Sequence, residues 1–173
     1  MRVVEGTATV DDLDAFVATL GDIGDEHDCV VQAFDARAVV DRAHLDAAVE
    51  QAARAWKRGD KIARDPAVEV LLYAAGRRQI SEALAMGVDV GESPVVAAVV
   101  SEFPENPFET DESEDAAVAA VADLFEPTET LSVSADEARI RSFFDVGDAE
   151  LAATEATLSD LVRERVALLT IDK

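Results

Sequence analysis

Pro94-Val95-Val96-Ala97-Ala98-Val99-Val100 offers an apolar residue at every position. Alternate side chains of a strand point to opposite faces, so an unbroken apolar run means that both faces are covered. The stretch reads as the central strand of a sheet clothed by helices. Upstream, Val3 to Val10 alternates and is rich in valine and threonine, which marks a first strand. Asp11 or Asp12 caps a helix that puts Leu13, Phe16, Val17 and Leu20 on one face. Gly21 to Asp28 reads as a polar loop and Cys29 to Phe34 as a second strand, which Arg37 to Val40 either extends or connects onward. Ala43 to Arg58 is the clearest helix: Leu45, Val49, Ala52 and Trp56 form one stripe, and Gly59 stops it. Asp65 and Pro66 start the next helix as N-cap and first-turn residue; Val68, Leu71, Leu72 and Ala75 are its apolar face and Gly76 its end. Gln79 to Met86 is a third, short helix closed by Gly87.

Downstream of the central strand, residues 102–115 carry seven acids, no base, and Pro104 and Pro107, the signature of a solvated loop. Ala116 to Phe125 follows as a helix with Val118, Val121 and Leu124 or Phe125 inward, and Glu129 to Val133 as a fourth strand. Ala135 to Phe144 and Leu158 to Ile171 complete the list of helices. The expectation is a single α/β (α+β) domain over residues 1–173: a small mixed, largely antiparallel sheet of about four strands covered by about seven helices.

The composition narrows the function. A chain of 173 residues with 49% hydrophobic content sustains one substantial core. No window approaches the roughly 20 apolar residues of a membrane helix, and Met1-Arg2-Val3-Val4-Glu5 lacks a signal-peptide core, so the expected location is the cytoplasm. Cys29, the one cysteine, forms no intrachain disulfide; with only His27 and His44 beside it and no close spacing, a metal site is not expected. The formal net charge of −22 fits either an acidic protein for basic partners or a halophile's protein. Three lysines against twelve arginines, with acids spread over nearly every element, point to the second, a protein of a very salty cytosol. No glycine-rich phosphate loop or local nucleophile signature occurs; Gly87-Val88-Asp89-Val90-Gly91 lacks the lysine and hydroxyl of a P-loop. Nothing here points to an enzyme or a cofactor.

Against that acidity, nine of the fifteen bases lie between Arg37 and Arg78, among only six acids. Lys57, Arg58, Lys61 and Arg64 cluster around the turn at Gly59, where the first two also complement a helix C-terminus. Trp56 beside them is either a stacking platform or, on its helix's apolar stripe, core. Arg77, Arg78 and Gln79 follow Gly76 at a helix–glycine–helix corner. Such arginines either meet nucleic acid or pair with acids of this chain or a partner. Phosphate binding weakens steeply with salt, so a halophilic RNA binder relies on bidentate arginine contacts, stacking and base-edge bonds to unpaired nucleotides. A compact corner of this kind suits a short single-stranded end. In the last helix Leu158, Leu161, Val162, Val166 and Leu169 form a stripe with Leu168 and Ile171 partly outside it, which covers the sheet or faces a partner.

Asp35-Ala36-Arg37, His44-Leu45, Trp56-Lys57-Arg58-Gly59 and the run Leu71-Leu72-Tyr73-Ala74-Ala75-Gly76-Arg77-Arg78-Gln79-Ile80 together resemble the small non-catalytic Cgi-type (TPRKB-like) subunit of the KEOPS complex. The resemblance is strongest from Val30 to Val100, and the family commonly has serine where this chain has Ala75. It implies a regulatory subunit that binds the small kinase/ATPase subunit and recruits tRNA by its 3′ CCA end for threonylcarbamoyladenosine modification beside the anticodon. It implies no cofactor, no small-molecule substrate and no membrane. The residues expected to hold the RNA are Arg77, Arg78, Gln79 and Gly76, supported by Lys57, Arg58, Lys61 and Arg64; those expected to meet the kinase subunit are Leu161, Val162, Leu168 and Leu169. The alternative is a purely protein-binding regulator of the kinase subunit, without direct RNA contact.

Overall fold

The computed structural model describes residues 1–101, 103 and 111–171. Four strands, β1 (Arg2–Val10), β2 (Val30–Asp35), β3 (Gly91–Val100) and β4 (Glu126–Pro127), form one sheet in the order β2-β3-β1-β4. Every pair is antiparallel, with Val31 opposite Val99 and Val4 opposite Ala97. The apolar run is therefore interior to the sheet, and its side chains divide as the pleat requires. Val95, Ala97 and Val99 join a core with α1 (Leu13–His27) and α5 (Asp111–Ala122); Val96, Ala98 and Val100 join the larger core on the other face. That second face is built by α2 (Arg42–Arg58), α3 (Pro66–Ala75), α6 (Glu137–Phe143) and α8 (Leu158–Leu168). All of Val95 to Val99 is at most 1% exposed, and each buried valine contributes roughly 1.5–3 kcal/mol. α4 (Ile80–Ala83), a 3-10 turn at Leu84–Met86 and α7 (Asp148–Ala153) complete eight α-helices among the described residues.

The differences from expectation have local causes. Gly21 to Asp28 is not a loop: α1 runs through it to His27, and Asp28 ends it in the left-handed region at φ 53° while Cys29 N–H donates to Gly24 O at 2.9 Å. Gly24 is glycine for close packing, since a Cβ there would lie 2.6 Å from the Cys29 carbonyl. The buried face of α1 is set by Leu20 and Gly24, which leaves Val17 exposed. Glu129 to Val133 is a turn rather than a strand, because its backbone is met by side chains. Glu5 Oε1 accepts from Thr130 N–H and Leu131 N–H at 3.0 and 2.6 Å, and the Thr130 hydroxyl donates to Val95 O. The fourth strand is instead the two-residue β4. Within the acidic stretch 102–115, Asp111 onward already belongs to α5; residues 102 and 104–110 lie outside those described. Arg37 sits in a 3-10 turn, Ala36–Ala38, capped by Asp35.

Candidate nucleic-acid and partner surfaces

The basic island is carried by an antiparallel pair, α2 and α3. Asp41 caps α2 through His44 N–H, and Gly59 closes it with φ 79°. Asp65 caps α3 by accepting from Ala67 N–H and Val68 N–H. The six-residue connection between Gly59 and Pro66 is held from below by Glu69, a fully buried carboxylate that accepts from Ile62 N–H and, at 2.7 Å, from Ala63 N–H. At the other end of the pair His44 is fully buried: its Nε2–H donates to Ala74 O at 2.8 Å and its Nδ1 accepts from Val40 N–H. Burial holds its pKa below the usual value, opposed by the bond to Ala74 and by Asp41. His44 is thus a neutral packing residue, edge-on to Phe144.

Gly76 ends α3 in a Schellman motif. It has φ 60°, its N–H donates to Tyr73 O, and Arg77 N–H donates to Leu72 O. Those two amides are therefore occupied, and Gly76 acts by conformation alone. Beyond it the two arginines part company. The Arg77 guanidinium lies 4.7 Å over the Phe143 ring, donates to Phe143 O, and stands 3.7 Å from Glu82. Arg165 of α8 donates to Phe144 O and pairs with Glu150, so two arginines meet the last carbonyls of α6. Arg77 is a latch as well as a charge. Arg78 is exposed, as is Gln79, whose side chain makes no capping bond at the start of α4.

Around Gly59, Arg58 pairs with Asp60. Lys61 Nζ sits 3.7 Å over the ring of Trp56, which is 6% exposed and packs edge-on against Phe103, so Trp56 is core rather than an open platform. Ten arginines form ion pairs; among the described residues Lys57, Lys61, Arg64 and Arg78 form none. Lys57 ends α2, Lys61 and Arg64 lie in the connection that leads into α3, and Arg78 follows the far end of α3, whose ten residues span about 15 Å. The expected RNA residues thus form two groups, one at each end of that helix, and not one patch.

The partner residues expected on α8 separate too. Val162 is fully buried and Leu161 and Leu169 are 5% and 4% exposed, packed toward α2 and α3 as part of the core. Leu168 at 39% and Ile171 at 74% remain outside. Phe143, Glu82 and Arg165 were not legible as neighbours of the corner, since contacts such as Arg77 to Phe143 span 66 residues and leave no local pattern. The same holds for Asp35. It pairs with Arg37 at 2.7 Å and Arg139 at 3.2 Å, and its pKa is lowered although burial alone raises it, because the bonds from Arg37 and the charge of Arg139 outweigh burial.

No described helix is long and apolar enough to cross a membrane, and no group of three metal-ligating side chains occurs among the described residues. The family described as kinase binding protein CGI-121 matches the chain over residues 10–170. No curated protein matches it.

Proposed function

The chain belongs to the CGI-121 family of kinase-binding proteins, and from that premise we propose that it is the small non-catalytic subunit of a KEOPS complex. In this reading it binds the small kinase/ATPase subunit and recruits tRNA through the 3′ CCA end for threonylcarbamoyladenosine modification. One observation carries the RNA part: in a chain of net charge −22, the described cations without an acidic partner are Lys57, Lys61, Arg64 and Arg78. With 37 acids available, four unpaired cations at the two ends of one helix are best explained by an external anion. Arg78 and Gln79 at the corner offer a guanidinium fork and a free amide to an unpaired nucleotide. The Gly59 turn, about 15 Å away, offers phosphate contacts to the strand that follows. For the kinase subunit, Leu168 at the end of the last helix and Ile171 in the turn after it supply exposed apolar surface.

The purely protein-binding alternative uses the same four cations against carboxylates of the kinase subunit. Both readings are separated by measuring tRNA with and without its CCA end on wild type and Arg78→Glu. Arg78 is the residue to change, because Arg77 also latches α6. Equal affinity in all four combinations removes the RNA-end reading. Loss of kinase-subunit binding with tRNA affinity intact favours the protein-only regulator.

A further inference from the structure

The corner that carries Arg77 and Arg78 shares a wall with a pocket. Phe143 has the Arg77 guanidinium 4.7 Å over its ring, and the same side chain lines a cavity of about 280 Å³ with Ala38, Ala85, Arg139, Ile140 and Ser142. α6 supplies Arg139, Ile140, Ser142 and Phe143, the 3-10 turn after Asp35 supplies Ala38, and the 3-10 turn after α4 supplies Ala85. α4 starts at Ile80, directly after Gln79, so one short element joins the corner to the rim of the pocket. Ile140 and Ala38, 1% and 5% exposed, make an apolar floor. Ala85 and Ser142 are exposed at the mouth.

These residues suit a planar, uncharged guest. The pocket's two larger side chains are a phenyl ring and a guanidinium, the two kinds of plane on which unpaired bases stack. Its one charge is compensated. Arg139 donates to the buried Asp35 at 3.2 Å and to Ala85 O at 3.0 Å, and these two bonds also fix the guanidinium in place. A compensated arginine draws a phosphate weakly, so phosphate is left to Arg78, exposed beyond the corner. The Ser142 hydroxyl both donates and accepts, and so can meet the edge of any base. A volume of about 280 Å³ falls just below the roughly 300–1,000 Å³ of sites for drug-sized ligands, which suits a single ring system. Stacking releases no counter-ions, so it persists in salt that weakens phosphate contacts.

We propose that this pocket receives one nucleobase of the unpaired RNA end, with its sugar and phosphate left outside against Arg78 and Gln79. The inference rests on the RNA-end reading and deepens it: the exposed cations hold the backbone, and the pocket holds a base. Stacking in the pocket supplies affinity, and Ser142 at the mouth supplies a base-edge contact. Arg77, lying on Phe143, holds the shared wall and is a positioning residue.

The test uses the full chain, in the salt where it is folded, and fluorescein-labelled RNA hairpins that copy an acceptor stem. One hairpin ends in unpaired CCA, three carry a single abasic nucleotide at one of those positions, and one lacks the CCA altogether. Affinities are read by fluorescence anisotropy. One abasic hairpin is expected to bind about tenfold more weakly than the CCA hairpin, the loss of one stacked base. Ser142→Leu and Ala85→Leu, which fill the mouth from exposed positions, are expected to weaken the CCA hairpin by a similar factor and to leave that abasic hairpin unchanged. Arg78→Glu is expected to weaken both alike. If all three abasic hairpins bind as the CCA hairpin does while the hairpin without CCA binds more weakly, the pocket is overturned and the RNA-end reading stands. Equal affinity for all five hairpins overturns both. Leucine variants that weaken the CCA hairpin and every abasic hairpin to the same extent overturn the pocket as well.

Discussion

Replacing Gly76 by alanine tests the corner that places Arg77 and Arg78. Two costs are readable from the structure. At φ 60° an alanine sits in the left-handed region, at about 1–2 kcal/mol. Its Cβ would also lie 3.3 Å from the Arg165 carbonyl, so α8 must yield slightly. Gly59, at φ 79° with nothing within 4 Å of its would-be Cβ, bears the first cost without the second. Gly21, inside α1 with open space around it, bears neither, and alanine there should stabilise by roughly 0.5–1 kcal/mol. The expected order of stability is Gly21→Ala above wild type, then Gly59→Ala, then Gly76→Ala. A chain of this size loses about 2–4 °C of Tm per kcal/mol, so Gly76→Ala should melt roughly 2–8 °C low in thermal denaturation followed by circular dichroism at fixed salt. It should also lower tRNA affinity more than Gly59→Ala does, because it moves the latch between Arg77 and α6. A Gly76→Ala protein as stable as wild type would refute the reasoning about both the cap and the close approach.

Stability should fall as pH drops below about 6.5. His44 is buried neutral with a lowered pKa, so in that window the unfolded chain binds a proton that the folded chain refuses. The slope reaches at most about 1.4 kcal/mol per pH unit, and His44→Gln should flatten it in urea titrations at stepped pH. Glu69→Ala strands the amides of Ile62 and Ala63, at a cost of about 2–4 kcal/mol in urea denaturation, and should loosen the turn bearing Lys61 and Arg64. The Cys29 thiol is raised from 9.0 to about 11 by burial, then by Glu114 and Asp28; the smaller thiolate fraction, half offset by the greater nucleophilicity of the thiolate, should slow iodoacetamide alkylation at pH 8 by about tenfold relative to the unfolded chain.

Periodicity and punctuation made β3, α2 and α3 legible: an unbroken apolar run, one stripe ending at Gly59, and an Asp-Pro start with a glycine stop. Signals failed where long-range contacts override local chemistry. Gly24 looks like a loop residue until the Cys29 carbonyl packs against it, and Glu129 to Val133 looks like a strand until Glu5 takes its amides. α7 has no side-chain N-cap and no buried residue, so neither cap nor stripe announced it. At the site, the residue types were visible but their engagements were not. Arg77 and Arg78 are adjacent and chemically identical, yet one is latched to Phe143 and the other is exposed. Likewise the α8 stripe was readable, but not that Leu161, Val162 and Leu169 point into the core.

The central claim is that an unpaired tRNA end lies against the corner after Gly76. A photoreactive azido group on the terminal adenosine of tRNA, crosslinked to the chain bound to its kinase subunit and mapped by mass spectrometry, addresses it directly. Crosslinks are expected within Arg77 to Ile80, and are expected to be lost in Arg78→Glu. Crosslinks confined to the β2 edge, to α8 or to the kinase subunit would contradict it.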